Sequence, residues 1–225
     1  MRYQCLIIDH DDTLLNSTVE VHYPCMLECL EKLRPGTPLS FDEFAEYNFD
    51  LGFHAYATDI LHLSAEEKVI QAKIWHDWVD THRAALFPHA KEVLERFKAA
   101  GGTLIVSSHN EQKHILADYA DAGCPQPDAV FGWDLDIEKR KPAPYTIEQI
   151  EQRFGIARED MVMLDDMKIG YNMCKATGVD FIYADWARKP ARLRAQMRSL
   201  ATYTAESFLE VEKILFGESE KEHCQ

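Results

Sequence analysis

Two aspartates separated by one residue, Asp9 and Asp11, follow directly after a short apolar run near the start of the chain. The run, Leu6-Ile7-Ile8, is too short for a helix and predicts a strand buried on both faces. In parallel sheets ligands bind beyond the carboxyl ends of the strands, where both carboxylates would lie. Two acidic groups there can divide the chemistry, one acting as a nucleophile and metal ligand and the other as an acid and base.

Two further apolar runs, at 103–106 and 161–164, also end in polar side chains. The residues that follow these runs are Ser107, Ser108, His109, Asn110, Asp165 and Asp166. Lys141 lies between the two runs in a proline-rich loop. Carboxylates without a histidine and cysteine cluster favour a hard cation such as Mg²⁺, which takes oxygen ligands. A hydroxyl and a lysine beside that cation would cradle a phosphate, as phosphoryl transfer requires.

The first acidic stretch also has a spacing close to that of an EF-hand calcium loop, with Asp9, Asp11, Thr13 and Glu20 near the ligand positions. That loop needs glycine at its sixth position, where this chain has Leu14. It also needs a preceding helix, whereas the residues before Asp9 predict a strand. The calcium interpretation is therefore a poor match.

Strands and helices alternate along most of the chain, which predicts a parallel α/β sheet. Later strands are predicted at 103–110, 129–131, 161–166 and 181–184, and a last helix at 206–215 before a charged tail predicted to be disordered. Residues 17–83 lack any strand pattern and instead show helical periodicity, with a third helix predicted at 53–63 and capping boxes at Ser40–Glu43 and Ser64–Glu67. We therefore predict an α/β core, formed by 1–16 and 84–225, with a helical cap inserted at 17–83.

The composition limits the partners and the compartment of the chain. Its 225 residues include 24 Lys and Arg against 38 Asp and Glu, a formal net charge of −14, which disfavours nucleic acid and anionic membranes as partners. No signal peptide or membrane span is expected, because the first apolar run stops at Asp9. The six cysteines form no CxxC pair, which favours a reducing, cytoplasmic setting.

In this order and spacing, the polar groups resemble the four motifs of the haloacid dehalogenase superfamily of phosphohydrolases. The matching stretches are Asp9-His10-Asp11-Asp12-Thr13 for DxDxT, Ser107 for the second motif, Lys141-Pro142-Ala143-Pro144 for K-P-x-P, and Asp165-Asp166 for the acidic pair. The helical insertion resembles the C1-type cap of phosphoglycolate phosphatase-like and β-phosphoglucomutase-like members, which implies a Rossmann-like parallel sheet core. Two departures are Asp12, where glycine is usual, and His10, where an apolar residue is commoner.

The resemblance implies a Mg²⁺-dependent phosphatase that acts on a small phosphorylated metabolite through an aspartyl-phosphate, as a monomer or homodimer. Asp9 would attack phosphorus, and Asp11 would protonate the leaving oxygen and then activate water. The implied phosphate and substrate ligands are Ser107 and Lys141, with Ser108, His109 and Asn110 as further candidates lining the pocket. The implied metal ligands are Asp9, the backbone carbonyl of Asp11, Asp166 and, directly or through water, Asp165.

The same residues leave one other enzyme function open and count against two further functions. A β-phosphoglucomutase-like phosphomutase would share every core residue, and it stays open because a sequence cannot show whether water or a sugar accepts the phosphoryl group. A receiver-like signalling domain has its acidic pair first, whereas here Asp165-Asp166 comes last. A 2-haloacid dehalogenase would lack the second carboxylate, present here as Asp11. Phosphoglycolate, sugar phosphates and nucleoside monophosphates are all compatible substrates.

Overall fold

The computed structural model describes residues 1–50, 52 and 55–217, and these form two compact units. The sheet unit comprises Met1–Leu15, Leu86–Ala187 and, of the residues that follow Gln196, the described range 197–217. The helical unit comprises Asn16–Ala85 and Arg188–Gln196. No helix in the described ranges has both the length and the hydropathy that crossing a bilayer requires.

The sheet unit is built on six parallel strands in the order β3-β2-β1-β4-β5-β6, which confirms the predicted Rossmann-like α/β fold. The strands are β1 (Cys5–Ile8), β2 (Thr103–Ser107), β3 (Ala129–Phe131), β4 (Met161–Asp165), β5 (Asp180–Ala184) and β6 (Tyr203–Ala205). β1 and β4 are buried at every residue. Because successive side chains point to opposite faces, both faces of the sheet are covered there.

The helices of the described residues follow in chain order. They are α1 (Tyr23–Leu33), α2 (Phe41–Asp50), α3 (Ala65–Thr81), α4 (Ala90–Ala99), α5 (Gln112–Asp121), α6 (Tyr145–Phe154), α7 (Lys168–Thr177), α8 (Ala191–Leu200) and α9 (Phe208–Phe216). α6 and α7 end at Gly155 and Gly178, both with positive φ angles of 67° and 76°, as expected where a helix is closed by a left-handed residue.

The position of β1 in the sheet explains why the motifs come together. β1 pairs with β2 on one side and with β4 on the other, with Ile8 opposite both Val106 and Leu164. The residues that come next on the three strands are Asp9, Ser107 and Asp165. The strand order reverses at β1, so these residues lie at the topological switch point, where open α/β sheets bind their ligands.

The helical unit contains α1, α2 and α3 together with two short π-helical turns, Thr18–His22 and Tyr56–Ile60. Both predicted capping boxes are present: Glu43 N–H donates to Ser40 Oγ and Glu67 N–H to Ser64 Oγ, each at 3.2 Å. In return Ser40 N–H and Ser64 N–H each donate at 2.8 Å to the carboxylate three residues on. These bonds satisfy amides that the first helical turn leaves without partners.

The helical unit has its own core, which is formed mainly by apolar residues of α1, α2 and α3 and the turn Tyr56–Ile60. Its buried members are Cys25, Met26, Cys29, Leu30, Leu39, Phe44, Tyr56, Ala57, Leu61, Leu63 and Ile74. Trp75 and Trp78, which the periodicity places on one face of α3, pack against this core. The unit is therefore held together by its own apolar packing.

The structure differs from the sequence-based prediction after β5. α8 and β6 were not predicted, because arginines interrupt the apolar pattern of α8 and β6 is only three residues long. Residues 188–196 also group with the helical unit, although 84–225 was predicted to belong to the core. The reason is charge and ring contacts with α2: Arg192 Nη2 is 2.7 Å from Asp50 Oδ2, and Arg188 lies over the Phe41 ring.

Two other predictions fall partly or wholly beyond the described residues. Within the predicted helix at 53–63, the structure describes the turn Tyr56–Ile60, while 53 and 54 lie outside the described ranges. The predicted tail after Gly217 lies wholly outside them.

Candidate active site

A buried lysine joins two of the strand-end carboxylates. Lys141 Nζ donates to Asp9 Oδ1 at 2.8 Å and to Asp165 Oδ2 at 2.6 Å. All three residues are at most 6% exposed. Ion pairs this deeply buried are retained only with good geometry and further hydrogen bonds, and they rarely serve stability alone. Perturbed charges in such a cluster mark a candidate functional site.

The pKa values in this cluster reflect burial first and the neighbouring charges second. Burial raises the pKa of Asp165, and the carboxylates of Asp9 and Asp166 raise it further, to about 8, although the charge of Lys141 opposes them. For Lys141, burial alone would lower the pKa, but the carboxylates of Asp165 and Asp9 raise it above its ordinary value. The lysine is therefore charged at neutral pH, and one positive charge is too little for the carboxylates around it.

A second cation fits this excess of negative charge. Carboxylate oxygens of Asp9, Asp165 and Asp166 lie within 4.8 Å of one another, and all three side chains are buried. Thr13 Oγ1 donates to Asp166 Oδ1 at 3.2 Å, and the Met167 N–H donates to Asp165 Oδ1 at 2.7 Å. The group offers oxygen ligands only, already oriented by these hydrogen bonds, which suits Mg²⁺.

Asp11 lies outside the lysine cluster and contacts a different predicted residue. Asn110 Nδ2 donates to Asp11 Oδ2 at 3.1 Å and to Asp11 Oδ1 at 3.4 Å. Asn110 is itself fixed, because its Oδ1 accepts from the Glu111 N–H at 2.8 Å and its N–H donates to Ser108 Oγ at 3.2 Å. Asn110, predicted as a substrate ligand, therefore holds the carboxylate of Asp11.

The two hydroxyls at the end of β2, those of Ser107 and Ser108, have separate partners. Ser107 Oγ lies 3.3 Å from Thr146 Oγ1, and both side chains are buried. Ser108 donates its backbone N–H to the Phe131 carbonyl at 3.0 Å and accepts the Asn110 N–H through its hydroxyl. Thr146, near the start of α6, was not singled out from the sequence, where a lone threonine after the K-P-x-P motif carries no signal.

The turn after β1 explains both departures from the family pattern. Asp12 has φ of 56°, in the left-handed region that glycine adopts freely and that aspartate tolerates better than most residues. His10 is fully buried, with Nε2 2.9 Å from Asp118 Oδ2 and its ring stacked on Tyr119 of α5. A packed histidine takes the place of the commoner apolar residue.

Gly170 of α7 lies directly against the carboxylate of Asp165. A Cβ atom at this position would lie 2.2 Å from Asp165 Oδ2 and 2.6 Å from its Cγ, while that carboxylate is already fixed by Lys141. We expect Gly170→Ala to displace Asp165 and lower kcat/KM about 10²-fold, with a loss of stability of about 1–3 kcal/mol. In the interior of an ordinary helix, glycine to alanine increases the free energy of unfolding by about 1 kcal/mol. A decrease here would therefore indicate the clash with Asp165.

Steady-state kinetics and thermal unfolding measure both effects of Gly170→Ala. Lys175→Ala, at an exposed position of the same helix, is the matched control and should leave both unchanged. An alanine variant as active and as stable as the original chain would contradict the close approach of α7 to Asp165.

This chain is similar in sequence to one protein family and in structure to several solved proteins. The sequence profile of a family described as haloacid dehalogenase-like hydrolase matches residues 6–184. A predicted phosphoglycolate phosphatase from Haemophilus somnus 129PT is similar in structure, with a TM-score of 0.77, 18% identity, and coverage of 95% of this chain and 98% of that chain. A search of curated proteins gave no match.

Two structures of CbbY from Rhodobacter sphaeroides are also similar. The complex with phosphate has a TM-score of 0.73 and 19% identity, covering 93% of this chain and 96% of that chain. A mutant in complex with xylulose-(1,5)-bisphosphate has a TM-score of 0.73 and 18% identity, covering 92% and 96% respectively. At these identities the structural similarity shows a shared fold.

Proposed function

The chain belongs to the family of haloacid dehalogenase-like hydrolases, and from this premise we propose that it is a phosphatase of a small phosphorylated metabolite. The observation that carries the proposal is the buried cluster in which Lys141 joins Asp9 and Asp165 beside Asp166. The phosphate and the sugar bisphosphate bound to CbbY, a protein of the same fold, support a phosphorylated substrate.

In the first step, a carboxylate oxygen of Asp9 forms a bond to phosphorus while the bond from phosphorus to the ester oxygen breaks. Asp11 donates its proton to that leaving oxygen, so the alcohol departs neutral. Lys141 has three N–H donors, of which two bind Asp9 and Asp165. The third can bind a phosphoryl oxygen and stabilise its charge in the transition state.

In the second step, Asp11 takes a proton from a water molecule, and the water oxygen attacks the phosphorus of the aspartyl-phosphate. The bond between phosphorus and Asp9 breaks, which releases inorganic phosphate and restores both carboxyl groups to their starting states. Asn110 keeps Asp11 in place through both steps by its hydrogen bonds to the carboxylate. One residue thus acts as an acid and then as a base.

The proposed cofactor is Mg²⁺, which would be held by Asp9, Asp166 and the backbone carbonyl of Asp11, and directly or through water by Asp165. When bound, this cation neutralises charge on the transferring phosphoryl group. Burial, together with the carboxylates of Asp9 and Asp166, raises the pKa of Asp165 to about 8. A divalent cation would offset this buried negative charge, which supports the proposal.

The proposed setting is a reducing compartment such as the cytoplasm. Five cysteines of the described residues are free and buried: Cys5, Cys25, Cys29, Cys124 and Cys174. Burial raises the pKa of Cys5 to about 12 and that of Cys124 to about 11, so these thiols stay protonated and unreactive.

A phosphate-release screen over phosphorylated metabolites, with Mg²⁺ and with chelator, tests the proposed function. We expect at least one phosphomonoester to release inorganic phosphate, and chelation to reduce the rate about 10³-fold, because the metal supplies several kcal/mol of charge stabilisation. Full turnover in metal-free buffer would contradict the metal site. Conversion of a sugar phosphate into an isomer, without phosphate release, would favour the phosphomutase instead.

A further inference from the structure

The backbone that carries Lys141 is held by a histidine from the neighbouring strand end. His109 Nε2 lies 3.0 Å from the carbonyl oxygen of Lys141. A carbonyl oxygen only accepts hydrogen bonds, so Nε2 carries the proton and donates it. The His109 side chain is thus directed at the backbone of the lysine, although the sequence had suggested a substrate ligand at this position.

The protonation state of His109 agrees with this single donor role. Burial lowers the pKa of the imidazole, and the nearby charge of Lys141 lowers it further. The ring is therefore neutral at neutral pH and has one N–H group, which the Lys141 carbonyl occupies. In the neutral ring Nδ1 is an acceptor only, so the side chain has no second N–H to donate to a phosphate oxygen.

His109 in turn packs against Trp133, which is itself covered by Arg140; both belong to the loop that leads to Lys141. The edge of one ring meets the face of the other between His109 and Trp133, with centroids 5.8 Å apart and planes at 72°. The guanidinium of Arg140 lies 3.8 Å from the centroid of the Trp133 ring, and its Nε donates to the Leu135 carbonyl at 2.8 Å. Stacking of this kind fixes a guanidinium well because it is planar.

These contacts restrict a side chain that is otherwise flexible, that of Lys141. Its ammonium sits on a flexible four-carbon stem, and fixing it in a phosphate site requires a fixed backbone as well as charged partners. The Ala143 N–H also donates to the Arg140 carbonyl at 2.8 Å, which closes the loop immediately around Lys141. Asp9 and Asp165 then fix one end of the side chain while the loop fixes the other.

We propose that His109 is a positioning residue that anchors the Lys141 backbone, with Trp133 and Arg140 anchoring His109 in turn. The inference rests on the proposed phosphatase function, because the affected property is the grip of Lys141 on a phosphoryl group. Without the anchor, the ammonium keeps its charge but loses the geometry that leaves its third N–H directed at the substrate.

The test compares His109→Leu, which fills similar space without a donor, with His109→Gln, whose terminal amide can donate from about the same position. Inorganic phosphate serves as the probe, through its constant for competitive inhibition. We expect the leucine variant to bind phosphate about 10-fold more weakly and to lose about 10²-fold in kcat/KM. The glutamine variant should stay within about 3-fold of the original chain in both, since it keeps the hydrogen bond.

A double-mutant cycle shows whether His109 acts through the lysine. In a Lys141→Met background, His109→Leu should weaken phosphate binding no further, because the group it positions is gone. Losses that multiply would show that His109 contacts the phosphate itself, and they would overturn the proposal. Equal losses in the leucine and glutamine variants would overturn it too, because packing rather than the donor would then matter.

Different results would refute the proposed phosphatase function and the positioning role of His109. Absence of phosphate release by the original chain over the whole metabolite panel would refute the proposed function. An active original chain in which His109→Leu binds phosphate normally would refute only the positioning role.

Discussion

Replacing Asp9 with asparagine should abolish phosphatase turnover, with a loss of about four orders of magnitude or more in kcat. The carboxylate is the proposed nucleophile, and an amide in its place cannot form the aspartyl-phosphate. The change also removes a charge that faces Lys141 at 2.8 Å and one of three clustered carboxylates. Kinetics with an aryl phosphate at saturating Mg²⁺ measure the loss, and circular dichroism checks the fold.

The matched control for Asp9→Asn is Asp12→Asn, the same chemical change three residues further on. Asparagine tolerates the left-handed backbone with φ of 56° at this position. We expect this variant to keep its activity within about 10-fold, since no step of the proposed mechanism uses Asp12. Near-normal turnover by Asp9→Asn would contradict the mechanism outright.

Asp11→Asn should fail in a different way from Asp9→Asn. The substitution keeps the backbone carbonyl proposed to bind Mg²⁺ and leaves Asp9 free to attack, so it removes only the proton donor and the base. An aryl phosphate has a good leaving group that needs little protonation, so the first step should largely survive. Hydrolysis of the aspartyl-phosphate then becomes limiting, with steady-state turnover about 10²–10⁴-fold lower.

Rapid mixing of Asp11→Asn with a chromogenic aryl phosphate should give a burst of product equal to the enzyme concentration, followed by slow turnover. Asn110→Ala is the graded control, because it keeps the Asp11 carboxylate and removes the amide that holds it at 3.1 Å. We expect that variant to lose about 10-fold in steady-state rate without a burst. A slow enzyme without any burst in Asp11→Asn would contradict the division of labour between the two aspartates.

Much of the sheet unit could be predicted because the local pattern of apolar residues is enough to identify its central strands. The apolar run before Asp9 has one physical solution, a strand buried on both faces, and its abrupt end places the carboxylate at the edge of the sheet. The same reasoning holds for the strands before Ser107 and Asp165. The profile match over 6–184 confirms the resemblance that these motifs suggested.

The contacts that depend on side-chain direction could not be predicted in the same way. The sequence placed His109 near the site but could not show that its ring turns to the Lys141 carbonyl. The stacking of Arg140 on Trp133 joins residues of a loop without periodicity, and no local pattern indicates it. α8 was missed because Leu193 and Met197 are its only fully buried apolar side chains, set among arginines.

The central claim is that Asp9 carries the phosphoryl group, and acid quenching of a reacting enzyme tests it most directly. Asp11→Asn is mixed with an aryl phosphate and Mg²⁺, quenched in acid during the burst, and digested for mass spectrometry. We predict the added mass of one phosphoryl group on the peptide containing Asp9, and none when Asp9→Asn is combined with it. An unmodified Asp9 peptide, or a phosphoryl group on His10 or His109 instead, would contradict the account.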